Sequence, residues 1–169
     1  MNNFDTIGTR VSQLFELEEN YENKTLWDWC KCPESLLAYC ALKGVDSSRI
    51  YAAILECIEL VLLLLPEFDT GGAMHLVRRA AAGEKGLLPS VSHYNALCHL
   101  SNDSGAAQAE QAALYAIACA VSDDWELIVE SSGLIAEAVY RSTGISQNEA
   151  AIKCCNIIRK CIPHDTIGV

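Results

Sequence analysis

Basic side chains are scarce in this sequence, and over one long stretch they are missing. The 169 residues carry 12 Lys and Arg against 22 Asp and Glu, a formal charge of −10. None of those basic residues falls in 86–140. A nucleic-acid binder displaces counterions with clustered positive charge, and a protein lying on an anionic membrane needs a basic patch. No nucleic acid and no membrane is therefore expected as a partner. Membrane-length apolar runs are missing too. The aliphatic run 60–65 follows Glu56 and Glu59 and is far shorter than the roughly 20 residues of a span. The amino terminus, Met1-Asn2-Asn3-Phe4-Asp5, has neither the basic region nor the apolar stretch of a secretory signal. A cytoplasmic protein is expected.

Catalytic signatures are equally thin. There is no Gly-x-Ser-x-Gly elbow and no Gly-rich phosphate loop. None of the four His stands three residues after a Glu, the pairing that acidic helical metal sites use in bundles. Cys30 and Cys32 lack the spacing of a zinc knuckle, and the adjacent Cys154 and Cys155 point to different helix faces. The expectation is a chain that is not an enzyme and binds no cofactor or metal. Nine cysteines cannot all pair within one chain. In a reducing compartment most of them read as small buried hydrophobes. Cys30 and Cys32, beside Lys31, are the pair that exposure would make reactive.

What the sequence has in quantity is helix. Apolar residues make up 51% and recur at three- and four-residue spacing, without the β-branched alternation of strands. The expected fold is all-α, one domain over 1–169: a globular bundle of seven to nine antiparallel helices joined as hairpins. A first helix is expected over about 5–20 and a second from Thr25. A third is expected from Pro33 to Gly44, since proline suits a first turn and glycine a last. Asp46 or Ser47 caps a fourth that ends before Pro66. That helix is apolar nearly all round, which places it at the bundle centre. Asp69 or Thr70 opens a fifth, closed by Gly83. A sixth runs from Pro89 and Ser90 through His99, and a seventh from Asp103 or Ser104 to near Val121. An eighth runs from Asp123 to about Thr143, with Gly144 past its end. Ser146 and Glu149 have capping-box spacing and start the last helix, which stops before Pro163.

The charge map is the most informative feature. Asp123, Glu126, Glu130 and Glu137 lie three, four and seven residues apart, so at 100° per residue they share one face of the eighth helix. Such a row either keeps a solvated face wet or attracts a basic partner and speeds its docking. Trp27, Trp29 and Trp125 read as core anchors. Trp125, among Asp123, Asp124 and Glu126, is the best candidate for an exposed aromatic, and an aromatic rimmed by acid has the composition of a protein-binding hot spot. The candidate partner-binding residues are thus Asp123, Asp124, Trp125, Glu126, Glu130 and Glu137. His75, Arg78 and Arg79 form a small basic cluster, of which His75 and Arg79 share a face and are expected to pair with Glu67 or Asp69, the alternative being to bind an acidic group.

Trp27, Cys30, Pro33, Leu36 and Leu37 fit a W-x-x-C-x-x-P-x-x-[LM]-L signature. It continues through Arg49-Ile50-Tyr51-Ala52-Ala53, Cys57 and Leu64-Leu65-Pro66-Glu67. An Arg-Arg-Ala-Ala-Ala-Gly end at Gly83, an Ala/Tyr-rich segment over 112–120 and Cys155-Asn156-Ile157-Ile158-Arg159 follow. In that order the chain resembles a family of uncharacterised Ala-rich, all-helical bacterial proteins, which in turn looks like helical immunity proteins of polymorphic toxin systems. The resemblance implies a non-catalytic protein-interaction module that binds and neutralises a basic toxin. Two alternatives stand beside it: a helical domain with a small-molecule pocket between the fourth helix and its neighbours, and a thiol or metal protein using Cys30, Cys32 and the cysteines of 154–161. The apolar surplus of 50–65 is satisfied either by the chain's own helices or in a homodimer.

Overall fold

The computed structural model describes residues 27–65, 70–86, 88–102, 107–122 and 124–167. The expected helix over 5–20 and the start of the second at Thr25 lie outside the described residues. Every regular element among the described residues is helical. Seven α-helices are described: α1 (Pro33–Leu42), α2 (Ser47–Ile58), α3 (Gly71–Ala81), α4 (Val91–Ser101), α5 (Gln108–Ala120), α6 (Trp125–Thr143) and α7 (Gln147–Cys161). A helical turn at 27–29 precedes them. Short 3-10 turns occupy Leu62–Leu64 and His164–Thr166. The all-α class is as expected, and the short connections are compatible with hairpins. No described helix is long and apolar enough to cross a membrane.

Local chemistry sets most boundaries. Pro33 occupies the first turn of α1, where its missing N–H costs nothing. The Asp46 carboxylate accepts from the Ser48 amide at 2.9 Å, satisfying one of the orphan donors at the start of α2. At α7 the capping box is complete: the Glu149 amide donates to Ser146 Oγ at 3.2 Å, and the Ser146 amide donates to Glu149 Oε2 at 2.9 Å. Gly144 closes α6 in the left-handed region at φ 71°, which costs glycine no Cβ clash.

Four expectations need correction. The fourth helix does not run to the residue before Pro66: α2 ends at Ile58, and the chain continues through a turn into the Leu62–Leu64 3-10 segment. Nor is that apolar stretch buried all round in the fold. Ile54, Cys57, Ile58 and Val61 are fully buried, whereas Leu63 is 94% exposed. The seventh helix starts at Gln108, behind an extended Ala107, rather than at Asp103 or Ser104. Finally, α5 shares the centre with α2: Ala113, Leu114, Ala116, Ile117, Ala118, Cys119 and Ala120 have no exposure. Alanine lets neighbouring helices approach closely, and α5 packs most extensively on α6. Buried residues from all seven helices join one apolar cluster.

Candidate functional site

The acidic stretch begins at a well-made helix start. The Asp124 amide donates to Ser122 Oγ at 3.1 Å, and the Ser122 hydroxyl donates to the Asp124 carbonyl at 3.1 Å. Asp124 Oδ1 accepts from the Glu126 amide at 2.9 Å. Asp124 is therefore the N-cap of α6, and part of its acceptor capacity is already used. Asp123, expected to open the helix, lies outside the described residues. Trp125, in the first turn, is 45% exposed and meets the expectation of an aromatic at the surface.

Glu126, Glu130 and Glu137 follow on α6, each half-buried. Their face is not a bare solvated row. Gly133 lies among them, and α1 crosses there so closely that a Cβ on Gly133 would sit 1.8 Å from Glu34 Oε1. Glu34 thus lies over the α6 backbone and adds a fourth carboxylate to Glu126, Glu130 and Glu137. Cys32 Sγ donates to Glu34 Oε2 at 3.0 Å and accepts from Ser35 Oγ at 3.0 Å. Burial, helped by the charges of Glu34 and Asp124, pushes the Glu130 carboxyl up from the ordinary carboxylate range. Glu137 is partly neutralised: Arg141 Nε and Nη2 donate to Glu137 Oε1 at 2.8 and 2.5 Å, and its Nη1 donates to Gln108 Oε1. A groove of about 320 Å³ runs along this face, lined by Lys31, Cys32, Glu34, Gly133, Glu137 and Asn148.

The other sequence candidates fall as follows. Trp27 is buried against Tyr39, with ring centroids 6.0 Å apart, as a core anchor should be. Trp29 departs from expectation and is 77% exposed. Glu67 and Asp69, the partners expected for the basic cluster, lie outside the described residues, and Arg79 is held by Glu84. Its Nε and Nη2 donate to Glu84 Oε2 at 2.8 and 2.6 Å. Cys40, Cys57, Cys119, Cys154 and Cys155 are buried, while Cys30, Cys32, Cys98 and Cys161 are half-buried. Burial raises the Cys30, Cys32 and Cys161 thiols and takes Cys40 and Cys119 up to about 12. Among the described residues, no three His, Cys, Asp or Glu gather closely enough to hold a metal ion.

Two hollows bear on the pocket reading. One of about 590 Å³ lies at the start of α2, beside Tyr51, Gly83 and Lys85. The centre of that helix, at Ala53 and Ile54, is packed shut. The other, about 490 Å³, separates α4, α5 and α6 and is lined by Cys98, Asn102, Gln111, Tyr115, Leu134 and Arg141. Burial, with Cys119 and Tyr94 nearby, pushes the Tyr115 hydroxyl up, so it stays a neutral donor there.

Two site features escaped sequence reasoning. Glu34 comes from a helix more than 90 residues before α6 in the chain, and the one trace it leaves is a glycine in mid-helix. The second is Arg159 of α7, whose Nε and Nη2 donate to the Trp27 carbonyl at 2.9 and 2.7 Å and whose Nη2 donates to the Cys30 carbonyl at 2.5 Å. Comparison with family models, curated proteins and solved structures gives no match to this chain.

Proposed function

We propose that this protein is a non-catalytic interaction module, of the immunity type, that binds and neutralises a basic protein through the acidic face of α6. The observation that carries the reading is the exposed Trp125 at the head of that face, beside Glu126 and upstream of Glu130 and Glu137. A half-exposed aromatic supplies the apolar anchor of a hot spot, and the carboxylates supply steering and register. Over 86–140 there is no Lys or Arg, and the one cation of α6, Arg141, is paired with Glu137, so the head of the face around Trp125 and Glu126 carries nothing on α6 to repel a cationic surface. A nuclease-like toxin, basic around its own site, is the partner class with the matching charge.

The test is affinity capture from host lysate on the immobilised chain, washed at low and at high salt. A single basic protein held at low salt and released at high salt is expected. Glu126→Lys with Trp125→Ala should abolish its capture while circular dichroism shows unchanged helix content. Equal capture by the double variant refutes this face as the interface. The hollow between α4, α5 and α6 supports a second reading, a small-molecule-binding domain. Recovery of no specific protein, with a saturable ligand shift at Tyr115, would favour it.

A further inference from the structure

The 30–32 turn, which carries Cys30 and Cys32, packs on the side of α7 that carries Cys155, and the proposed interaction face leaves Cys30 and Cys155 unused. Cys30 and Cys32 flank Lys31 between the helical turn at 27–29 and α1. Residues 151, 152, 155, 156 and 159 share one side of α7 by the helical period. That side faces the turn: Ala151 shares a groove with Cys32, while Ile152 and Asn156 share another with Cys30. Arg159 holds the Cys30 carbonyl at 2.5 Å. In the helical projection position 155 falls between 151 and 159, one turn before the arginine that grips Cys30. Cys155 is fully buried and Cys30 half-buried. The groove beside Cys30 measures about 380 Å³ and is lined by two cations, Lys31 and Arg159, against one acid, Asp28, a net positive charge locally in a chain of net −10.

We propose that Cys30 and Cys155 form a redox modification site, oxidised to an intramolecular disulfide by a small anionic disulfide of the glutathione class. The Cys30 thiolate attacks the oxidant and releases one glutathione thiolate. The Cys155 thiolate then attacks the Cys30 sulfur of the mixed disulfide and releases the second. Two thiols become one disulfide, one glutathione disulfide becomes two glutathiones, and the two protons of the protein thiols pass to the released thiolates or to water. The groove admits the oxidant, its two cations attract the oxidant's carboxylates, and the burial of Cys155 keeps the second thiol for the intramolecular step. Burial raises both thiols above the ordinary range, so the exchange quickens as pH rises above neutral. The bond ties together positions 125 residues apart and reinforces the Arg159 clamp.

The experiment treats the full chain with glutathione disulfide at pH 8 and maps its tryptic peptides without reduction. Cleavage after Lys24, Lys31, Lys43, Lys153 and Arg159 isolates Cys30 in peptide 25–31, places Cys32 with Cys40 in 32–43 and Cys155 with Cys154 in 154–159, and fragmentation of the linked peptide tells the two adjacent cysteines apart. The expected product links 25–31 to 154–159 through Cys155, is lighter by two hydrogens than the two free peptides, and melts at a higher temperature until dithiothreitol reverses it. Cys30→Ser, at a half-exposed position, should fold normally and lose both the link and the temperature rise. Linkage of 25–31 to 32–43, linkage through Cys154, glutathione trapped on Cys30 without a link, no modification at Cys30, or an unchanged temperature rise in Cys30→Ser would each overturn the proposal.

Discussion

Arg159 shows how much one half-buried side chain at the edge of the core can do. Its guanidinium donates to two carbonyls of the turn at 27–30 from the far end of the chain, capping orphan acceptors of a helical turn. A charged donor to a partly buried acceptor contributes about 1.5–3 kcal/mol. Arg159→Ala should therefore lower the unfolding free energy by about 2 kcal/mol in urea titrations. Arg159→Lys should recover little, because one ammonium cannot span both carbonyls with a planar fork. Glu130 makes a different residue-scale prediction. Its carboxyl is raised in the folded state by burial and by Glu34 and Asp124, so folding favours its protonated form. That contribution is complete below the ordinary carboxylate range and is lost as pH rises through the raised value. Glu34→Gln removes one of the like charges. An NMR titration should then show Glu130 moving back toward the ordinary range, and the stability lost on the alkaline side should shrink. An unmoved Glu130 would mean that Glu34 does not act on it.

Helices in this chain are set by their ends as well as their faces. Ser146→Ala breaks the capping box and should cost about 1 kcal/mol. Gly144→Ala forces a Cβ into the left-handed region and should cost about 1–2 kcal/mol. Both losses are readable as shifts in the urea midpoint. The capping residues Asp46, Ser146 and Glu149 and the closing Gly144 were legible in the sequence, because capping is chemistry between residues two to four apart. The end of α2 was not. Residues 59–65 continue the apolar pattern without a breaker, yet the chain leaves the helix at Ile58 so that Val61 and Leu65 can turn inward while Leu63 turns out. The start of α5 was missed because Asp103 and Ser104 are good caps by type, and nothing local shows that the helix begins at Gln108.

At the scale of the whole molecule, one apolar cluster and a large negative charge act together. Leu114 and Ile117 on α5 are fully buried within that cluster. Leu114→Ala should cost about 2–5 kcal/mol, the range for large-to-small changes in a packed interior. The net charge of −10 works against compaction by self-repulsion. Adding salt from about 0.01 to 0.15 M shortens the screening length from about 30 to 8 Å. The melting temperature at neutral pH should rise over that range. A fall would mean that ion pairs such as Arg79–Glu84 and Arg141–Glu137 outweigh the repulsion.

The all-helical class, most helix boundaries and the charge map follow from the order of residues alone, because periodicity, caps and composition are local or additive properties. The acidic residues of α6 could be placed on one face from spacing alone, and Trp125 could be singled out beside them. What that face is made of depends on the packed fold. Whether Glu34 lies over Gly133, whether Glu137 is shared with Arg141, and whether Arg159 reaches the Cys30 carbonyl all depend on how helices distant in the chain cross. Those crossings are fixed by the packing of side-chain volumes across the whole core, and no window of sequence contains that sum.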